Sequence, residues 1–173
     1  SCCRTSARTG NLPTVVRPSP DLITGQALNL KRTPLQHSAA ACATTILDDG
    51  YDDLAVSARP DALLLFNPVF DNGPGGFGHE TMGERWREIS PLHNIREGHP
   101  PTAVFLGDDD GLVPVATAAG YRNRVSASGR FDLGVYPGQP HGFFNYRDGD
   151  NPYSYATVHA ADRFLASLGY LED

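Results

Sequence analysis

Two stretches decide the fold of this 173-residue chain: PTAVFLGDDDGLVP at residues 101–114 and FDLGVYPGQPHGFFN at residues 131–145. Each begins with a short apolar run typical of a buried parallel strand, which predicts strands at residues 101–107 and 131–136, and a polar loop follows each run. Asp110 lies in the first loop and His141 in the second. Because the carboxyl ends of parallel strands meet at one edge of a sheet, we expect both side chains to project from the same edge.

The segments around these two stretches continue the alternation of strand and helix. The apolar run at residues 61–70 predicts another buried strand, and residues 81–89 predict a short helix. Pro114 fits the first turn of a helix that continues to Gly129, and residues 151–168 form a helical pattern that Gly169 ends. The sequence therefore predicts an α/β fold, with a mostly parallel sheet flanked by helices on both faces.

Residues 1–36 differ in composition from the rest of the chain. They contain one acidic residue, Asp21, no sustained periodicity, and prolines at positions 13, 18, 20 and 34. Such a segment lacks the apolar pattern that a packed element needs, so we expect an atypical, disordered arm at residues 1–36. The folded domain is expected to cover residues 37–173.

Charge and hydropathy exclude several classes of partner. The net charge of −6 disfavours binding to a nucleic-acid backbone. The longest apolar run, residues 62–66, is far too short to span a bilayer. The three cysteines, at positions 2, 3 and 42, do not have the spacing of metal ligands.

Asp110 and His141 have the residue types and the chain order of two members of an acyl-transfer triad. A carboxylate can accept the Nδ1–H of a histidine and fix its tautomer, which leaves the other ring nitrogen free to take a proton from a nucleophile. Two simpler interpretations remain open: a surface histidine in a Gly/Pro-rich loop, and a solvated acidic turn at residues 108–110. A calcium loop is excluded, because its template would place Leu106 and Thr117 at ligand positions.

From about residue 37 onward, the chain resembles the C-terminal part of an α/β-hydrolase of the esterase/lipase type. The resemblance is to the acetyl-esterase-like, hormone-sensitive-lipase-related group. It implies a partial α/β-hydrolase fold, a small-molecule ester substrate, no cofactor, and catalytic roles for Asp110 and His141. The stretches that carry it lie at residues 57–78, 90–95, 100–118, 136–145 and 162–173.

The chain departs from the family pattern upstream of these stretches. The sequence HSAAACATT at residues 37–45 resembles the helix that follows the family's nucleophile elbow, but KRTPLQ precedes it in place of the expected Gly-x-Ser-x-Gly. Ser38 lacks the glycines of an elbow and is a poor candidate. The His-Gly-Gly-Gly oxyanion loop and the N-terminal strands are also expected to be missing. An exposed sheet edge would then favour self-association.

The resemblance thus implies a carboxylic ester hydrolase that uses the Ser-His-Asp mechanism, with its serine absent from this sequence. Short acyl or carbohydrate-linked esters are the implied substrates. Two alternatives share the same pattern. One is a fragment of a serine peptidase of the prolyl-oligopeptidase type, which has the same Asp-then-His order. The other is a truncated, non-catalytic remnant.

Overall fold

A computed structural model describes residues 60–127, 129–146 and 151–172 of the chain. The expectations for the arm at residues 1–36, for the helix-like stretch at residues 37–45 and for Ser38 lie outside these residues. The domain boundary expected at residue 37 lies outside them as well.

The described residues form an open, three-stranded parallel sheet. Its strands are β1 (Leu63–Phe66), β2 (Thr102–Gly107) and β3 (Phe131–Tyr136), and they are hydrogen-bonded in the order β1-β2-β3. In the register, Leu63 pairs with Thr102, and Thr102 pairs with Phe131. Every residue of the middle strand β2 is buried, as expected for a continuous apolar run in a parallel sheet.

Helices and 3-10 turns connect and flank the strands. Between β1 and β2 lie short elements, and longer helices follow β2 and β3. The helices are α1 (His79–Met82), α2 (Trp86–Ile89), α3 (Val115–Val125) and α4 (Pro152–Ser167), with 3-10 turns at Gly83–Arg85 and Pro91–His93. No helix of these described segments is long and apolar enough to cross a membrane.

The core has one layer on each face of the sheet, because successive side chains of β2 point in opposite directions. Val104 and Leu106 pack with residues of α3 such as Tyr121. Ala103 and Phe105 face the other way and pack with residues of α4. The sequence-based prediction of an α/β fold, with a parallel sheet covered by helices on both faces, is therefore confirmed.

Two predicted elements are shorter or more broken than expected, and the local backbone explains both. The strand predicted at residues 61–70 ends at Phe66, since Asn67 has a φ of 46° and Pro68 follows it. The helix predicted at residues 81–89 is divided, since Gly83 adopts a φ of 54° and ends α1.

Candidate active site

The carboxylate of Asp110 is fixed in the loop that follows β2. Its Oδ1 accepts hydrogen bonds from the backbone N–H groups of Leu112, at 2.8 Å, and Val113, at 3.1 Å. This side chain is fully buried, with 0% of its surface exposed. Because both backbone donors use Oδ1, the second oxygen, Oδ2, remains for a partner on another loop.

That partner is His141, which follows β3. Its Nδ1 lies 2.8 Å from Oδ2 of Asp110, and 28% of the imidazole side chain is exposed. Since a carboxylate accepts, the Nδ1 of the neutral ring carries the proton, and Nε2 is left with a lone pair. Among the described residues, Nε2 has no hydrogen-bond partner. The ring is therefore oriented to take a proton at Nε2.

A tight turn presents His141 to the aspartate. Gly138 and Gly142 have φ angles of 69° and 75°, a left-handed conformation that glycine adopts without a steric penalty. The N–H of Phe143 donates to the carbonyl of Pro140 at 3.3 Å, and the N–H of Asn145 donates to the carbonyl of Gly142 at 3.1 Å. The glycine and proline pattern of the sequence thus explains the course of this loop.

Asn151 fastens the end of the histidine loop to the start of α4. Its Nδ2 donates to the carbonyls of Phe143, at 2.9 Å, and Asn145, at 2.7 Å. Its Oδ1 accepts from the N–H of Tyr153 at 3.1 Å and so caps the helix. The sequence predicted Asn151 only as a helix start, because a link to residues 143–145 has no local sequence signal.

Aromatic rings pack beneath the histidine loop. The ring of Phe66, at the end of β1, stacks on that of Phe105 with centroids 4.7 Å apart. The same ring contacts that of Phe144 at 5.0 Å. The ring of Phe143 packs against Tyr136 at 4.8 Å. The loop that carries His141 therefore lies on an apolar support contributed by all three strands.

The glycine-rich loop at residues 71–79 is held in place by Asn72, which is fully buried. Its backbone N–H donates to Oγ of Ser90 at 3.1 Å, and its Nδ2 donates to the carbonyl of Phe77 at 2.9 Å. Nδ1 of His79 in turn donates to the carbonyl of Asn72 at 2.9 Å. The glycine content of this loop favours a segment that borders a cleft, and the family resemblance implies that the cleft is the acyl or alcohol pocket; this stays a prediction.

Ser90, His93 and Asp71 form a second group with the residue types of a triad. Oγ of Ser90 lies 2.9 Å from Nδ1 of His93, and Oδ1 of Asp71 lies 3.7 Å from that same nitrogen. A triad needs its serine and its aspartate on different ring nitrogens, and Ser90 is fully buried. The group is therefore arranged to hold the loop at residues 71–79 rather than to activate a nucleophile.

Asn67, directly after β1, carries buried polar atoms that the sequence analysis did not single out. Its side chain is buried, and neither Oδ1 nor Nδ2 has a hydrogen-bond partner among the residues that the structure describes. No group of three or more metal-ligating side chains occurs in residues 60–127, 129–146 and 151–172.

Comparison with solved structures gives 38 matching chains. Esterase 2 of the planctomycete Thermogutta terrifontis, phosphoramylated by tabun, matches with a TM-score of 0.72 and 34% identity, over 81% of this chain and 54% of that chain. The native form of the same esterase matches with a TM-score of 0.71 and 32% identity, over 80% of this chain and 54% of that chain. The propionate-bound form matches with a TM-score of 0.71 and 31% identity, over 82% of this chain and 55% of that chain. No family model and no curated protein sequence matches.

These similarities define the class of fold. The chain has an esterase fold, represented here by the open parallel sheet and its flanking helices. It covers 54% of the length of the esterase chain with the TM-score of 0.72.

Proposed function

We propose that this chain supplies the acid–base pair of a serine-type carboxylic ester hydrolase. His141 acts as the general base and acid, and Asp110 orients it. The observation that carries the proposal is the 2.8 Å contact between His141 Nδ1 and Asp110 Oδ2 in an esterase fold. The free Nε2 supports it further, since it has no hydrogen-bond partner among the described residues and a general base needs an unoccupied lone pair.

The proposed reaction follows from the protonation state of the ring. Nε2 of His141 takes the proton of a serine hydroxyl as that oxygen attacks the ester carbonyl. The resulting imidazolium is stabilised by the buried carboxylate of Asp110, and it then gives its proton to the departing alcohol. A water molecule, deprotonated by the same nitrogen, hydrolyses the acyl-enzyme and restores the serine.

The nucleophile must come from a Gly-x-Ser-x-Gly segment, which this sequence does not contain. No serine of the described residues hydrogen-bonds to His141. Without its nucleophile, a serine-hydrolase triad loses about 10⁶-fold in turnover, about as much as when all three members are removed. This chain is therefore proposed to supply the acid–base pair of His141 and Asp110, and not the complete active site.

Short-chain acyl esters are the proposed substrates. Structures of the Thermogutta esterase contain propionate or butyrate, and another is phosphorylated by paraoxon. We propose acyl groups of that size for the present chain as well, together with the finer assignment to the acetyl-esterase-like, hormone-sensitive-lipase-related group.

A hybrid enzyme tests the proposal. The part of the Thermogutta esterase that this chain does not cover is joined to residues 37–173, and hydrolysis of p-nitrophenyl butyrate is measured. We expect turnover that falls at least about 10³-fold in the His141→Ala variant. A cooperative thermal transition shows that each protein is folded.

Two outcomes contradict the proposal. A folded hybrid that hydrolyses no ester favours the non-catalytic remnant. A hybrid that cleaves peptide p-nitroanilides faster than esters favours the peptidase alternative. Self-association of the unmodified chain stays a separate prediction, tested by sedimentation velocity.

A further inference from the structure

A side-chain hydrogen bond joins the aspartate loop to the histidine loop. One carboxylate oxygen of Asp108 accepts from the backbone N–H of Gly138, although 30 positions separate the two residues. Asp108 is the first residue after β2, and Gly138 lies three positions before His141. The side chain of Asp108 therefore contacts the turn that presents His141 to Asp110.

Backbone contacts bring the two loops together at the same place. The N–H of Asp108 donates to the carbonyl of Tyr136 at 3.2 Å, and the N–H of Asp109 donates to the carbonyl of Gln139 at 3.1 Å. At Gly107, a Cβ atom would lie only 1.9 Å from the carbonyl oxygen of Gln139. The loops thus pass too closely here for any side chain at position 107.

Gly138, whose N–H donates to Asp108, has the left-handed backbone conformation of the turn before His141. Gly138 has a φ of 69°, and the chain passes from it through Gln139 and Pro140 to His141. A bond to the Gly138 N–H fixes the orientation of this peptide group and hence the direction of the following residues. Asp110 does not contact this peptide group, since its Oδ1 is bonded within its own loop and its Oδ2 contacts the ring of His141.

We propose that Asp108 is a positioning residue that holds His141 within hydrogen-bond distance of Asp110. It acts through the acceptor oxygen of its side chain and not through its charge, because the residue is exposed and water screens its field. The consequence for turnover rests on the proposed function of the pair. The effect of Asp108 on the position of His141 does not depend on that proposed function.

Three variants separate the hydrogen bond from the charge. Asp108→Ala removes the acceptor and the charge, whereas Asp108→Asn removes the charge and keeps an acceptor oxygen. Asp109→Ala is the matched control, because it removes the same charge one position away. The Asp109 side chain makes no hydrogen bond or ion pair with the described residues, and the backbone bond to Gln139 is retained.

The experiment is NMR spectroscopy of the full 173-residue chain, labelled with ¹⁵N, at neutral pH. The hydrogen-bonded Nδ1–H of His141 gives a low-field proton signal, and the ring ¹⁵N shifts report the tautomer. Exchange of the Gly138 amide with solvent measures the Asp108 bond directly. Thermal unfolding confirms that each variant is folded, and Asp108→Leu, similar in shape to aspartate, replaces the alanine variant if that one unfolds.

We expect the Gly138 amide of Asp108→Ala to exchange about tenfold faster, and the low-field His141 signal to be lost. Asp108→Asn and Asp109→Ala should both keep the signal of the unmodified chain. The inference is overturned if Asp108→Ala keeps the His141 signal while the Gly138 amide exchanges faster. It is equally overturned if Asp109→Ala loses the signal to the same extent, since charge would then be the cause.

Activity of the hybrid enzyme adds a second readout. A positioning role predicts that Asp108→Ala lowers kcat about tenfold with little change in KM, and that Asp108→Asn restores it. An inactive hybrid together with the expected NMR result rejects the proposed function and retains the positioning inference. An active, His141-dependent hybrid together with an unchanged His141 NMR signal in Asp108→Ala retains the proposed function and rejects the positioning inference.

Discussion

Nδ1 of His141 lies 2.8 Å from Oδ2 of Asp110, although the two residues follow different strands and are 31 positions apart. The aspartate side chain is fully buried, whereas the imidazole is 28% exposed. The aspartate end of this hydrogen-bonded pair is therefore anchored in the protein, and the histidine end is partly exposed to solvent. A buried carboxylate also stabilises the adjacent imidazolium more strongly than an exposed one would.

The close passage of the two loops predicts that Gly107 tolerates no side chain. A Cβ atom added at this position would lie 1.9 Å from the carbonyl oxygen of Gln139, so the histidine loop must move. We expect Gly107→Ala to lower the free energy of unfolding by about 1–3 kcal/mol, measured by urea denaturation. Gly111→Ala is the control, because no described atom lies within 4 Å of its Cβ. Equal losses in the two variants would contradict the explanation.

The group of Ser90, His93 and Asp71 predicts a stability effect without a catalytic one. Ser90 is fully buried, and its Oγ accepts from the N–H of Asn72. Ser90→Ala should therefore cost about 1–3 kcal/mol of unfolding free energy. Turnover of the hybrid enzyme should change less than about threefold, because no step of the proposed reaction uses this serine. A loss comparable to that of His141→Ala in a folded Ser90→Ala hybrid would contradict the purely structural role of this group.

The burial of Tyr121 is expected to make the protein less stable in alkaline solution. Burial raises the pKa of Tyr121 well above its ordinary value. Its hydroxyl shares a hydrogen bond with Nε2 of His99 at 2.7 Å, and Nδ1 of that ring donates to the carbonyl of Pro100. Because the unfolded chain releases the phenolic proton near pH 10 and the folded chain retains it, unfolding becomes easier as the pH rises further.

The decline is expected to reach at most about 1.4 kcal/mol per pH unit for this one group. Tyr121→Phe should flatten the slope above about pH 10 by up to that amount, and should cost about 1 kcal/mol at neutral pH through the lost hydrogen bond. Tyr155→Phe is the control, because Tyr155 is 56% exposed. Denaturant titrations between about pH 8 and about pH 11 measure both slopes. An unchanged slope in Tyr121→Phe would contradict this assignment.

The sequence predicted the sheet well where the apolar runs are bounded by turn residues. The strand expected at residues 131–136 is found with the same bounds, and that expected at 101–107 begins one residue later, at Thr102. The strand after Asp61 was predicted too long, because the apolar residues Val69 and Phe70 continue beyond it. Those side chains enter the core from a loop, so hydropathy alone does not distinguish them from strand residues.

The sequence predicted that Asp110 and His141 lie together at one edge of the sheet, but it did not predict the contacts that support them. Asp110 and His141 are identifiable because each follows a strand in a loop of characteristic composition. The bonds from Asp108 to Gly138 and from Asn151 to Phe143 join segments whose approach depends on the finished fold. The buried amide of Asn67, which has no partner among the described residues, has no sequence signal for the same reason.

A double-mutant cycle on the hybrid enzyme tests the central claim most directly. The kcat for p-nitrophenyl butyrate is measured for the parent, for His141→Ala, for Asp110→Ala and for the double variant. If the two side chains act as one relay, each single change lowers kcat at least about 10³-fold, and the double variant is no slower than His141→Ala within about threefold. Single losses below about tenfold, or losses that multiply in the double variant, would contradict the account.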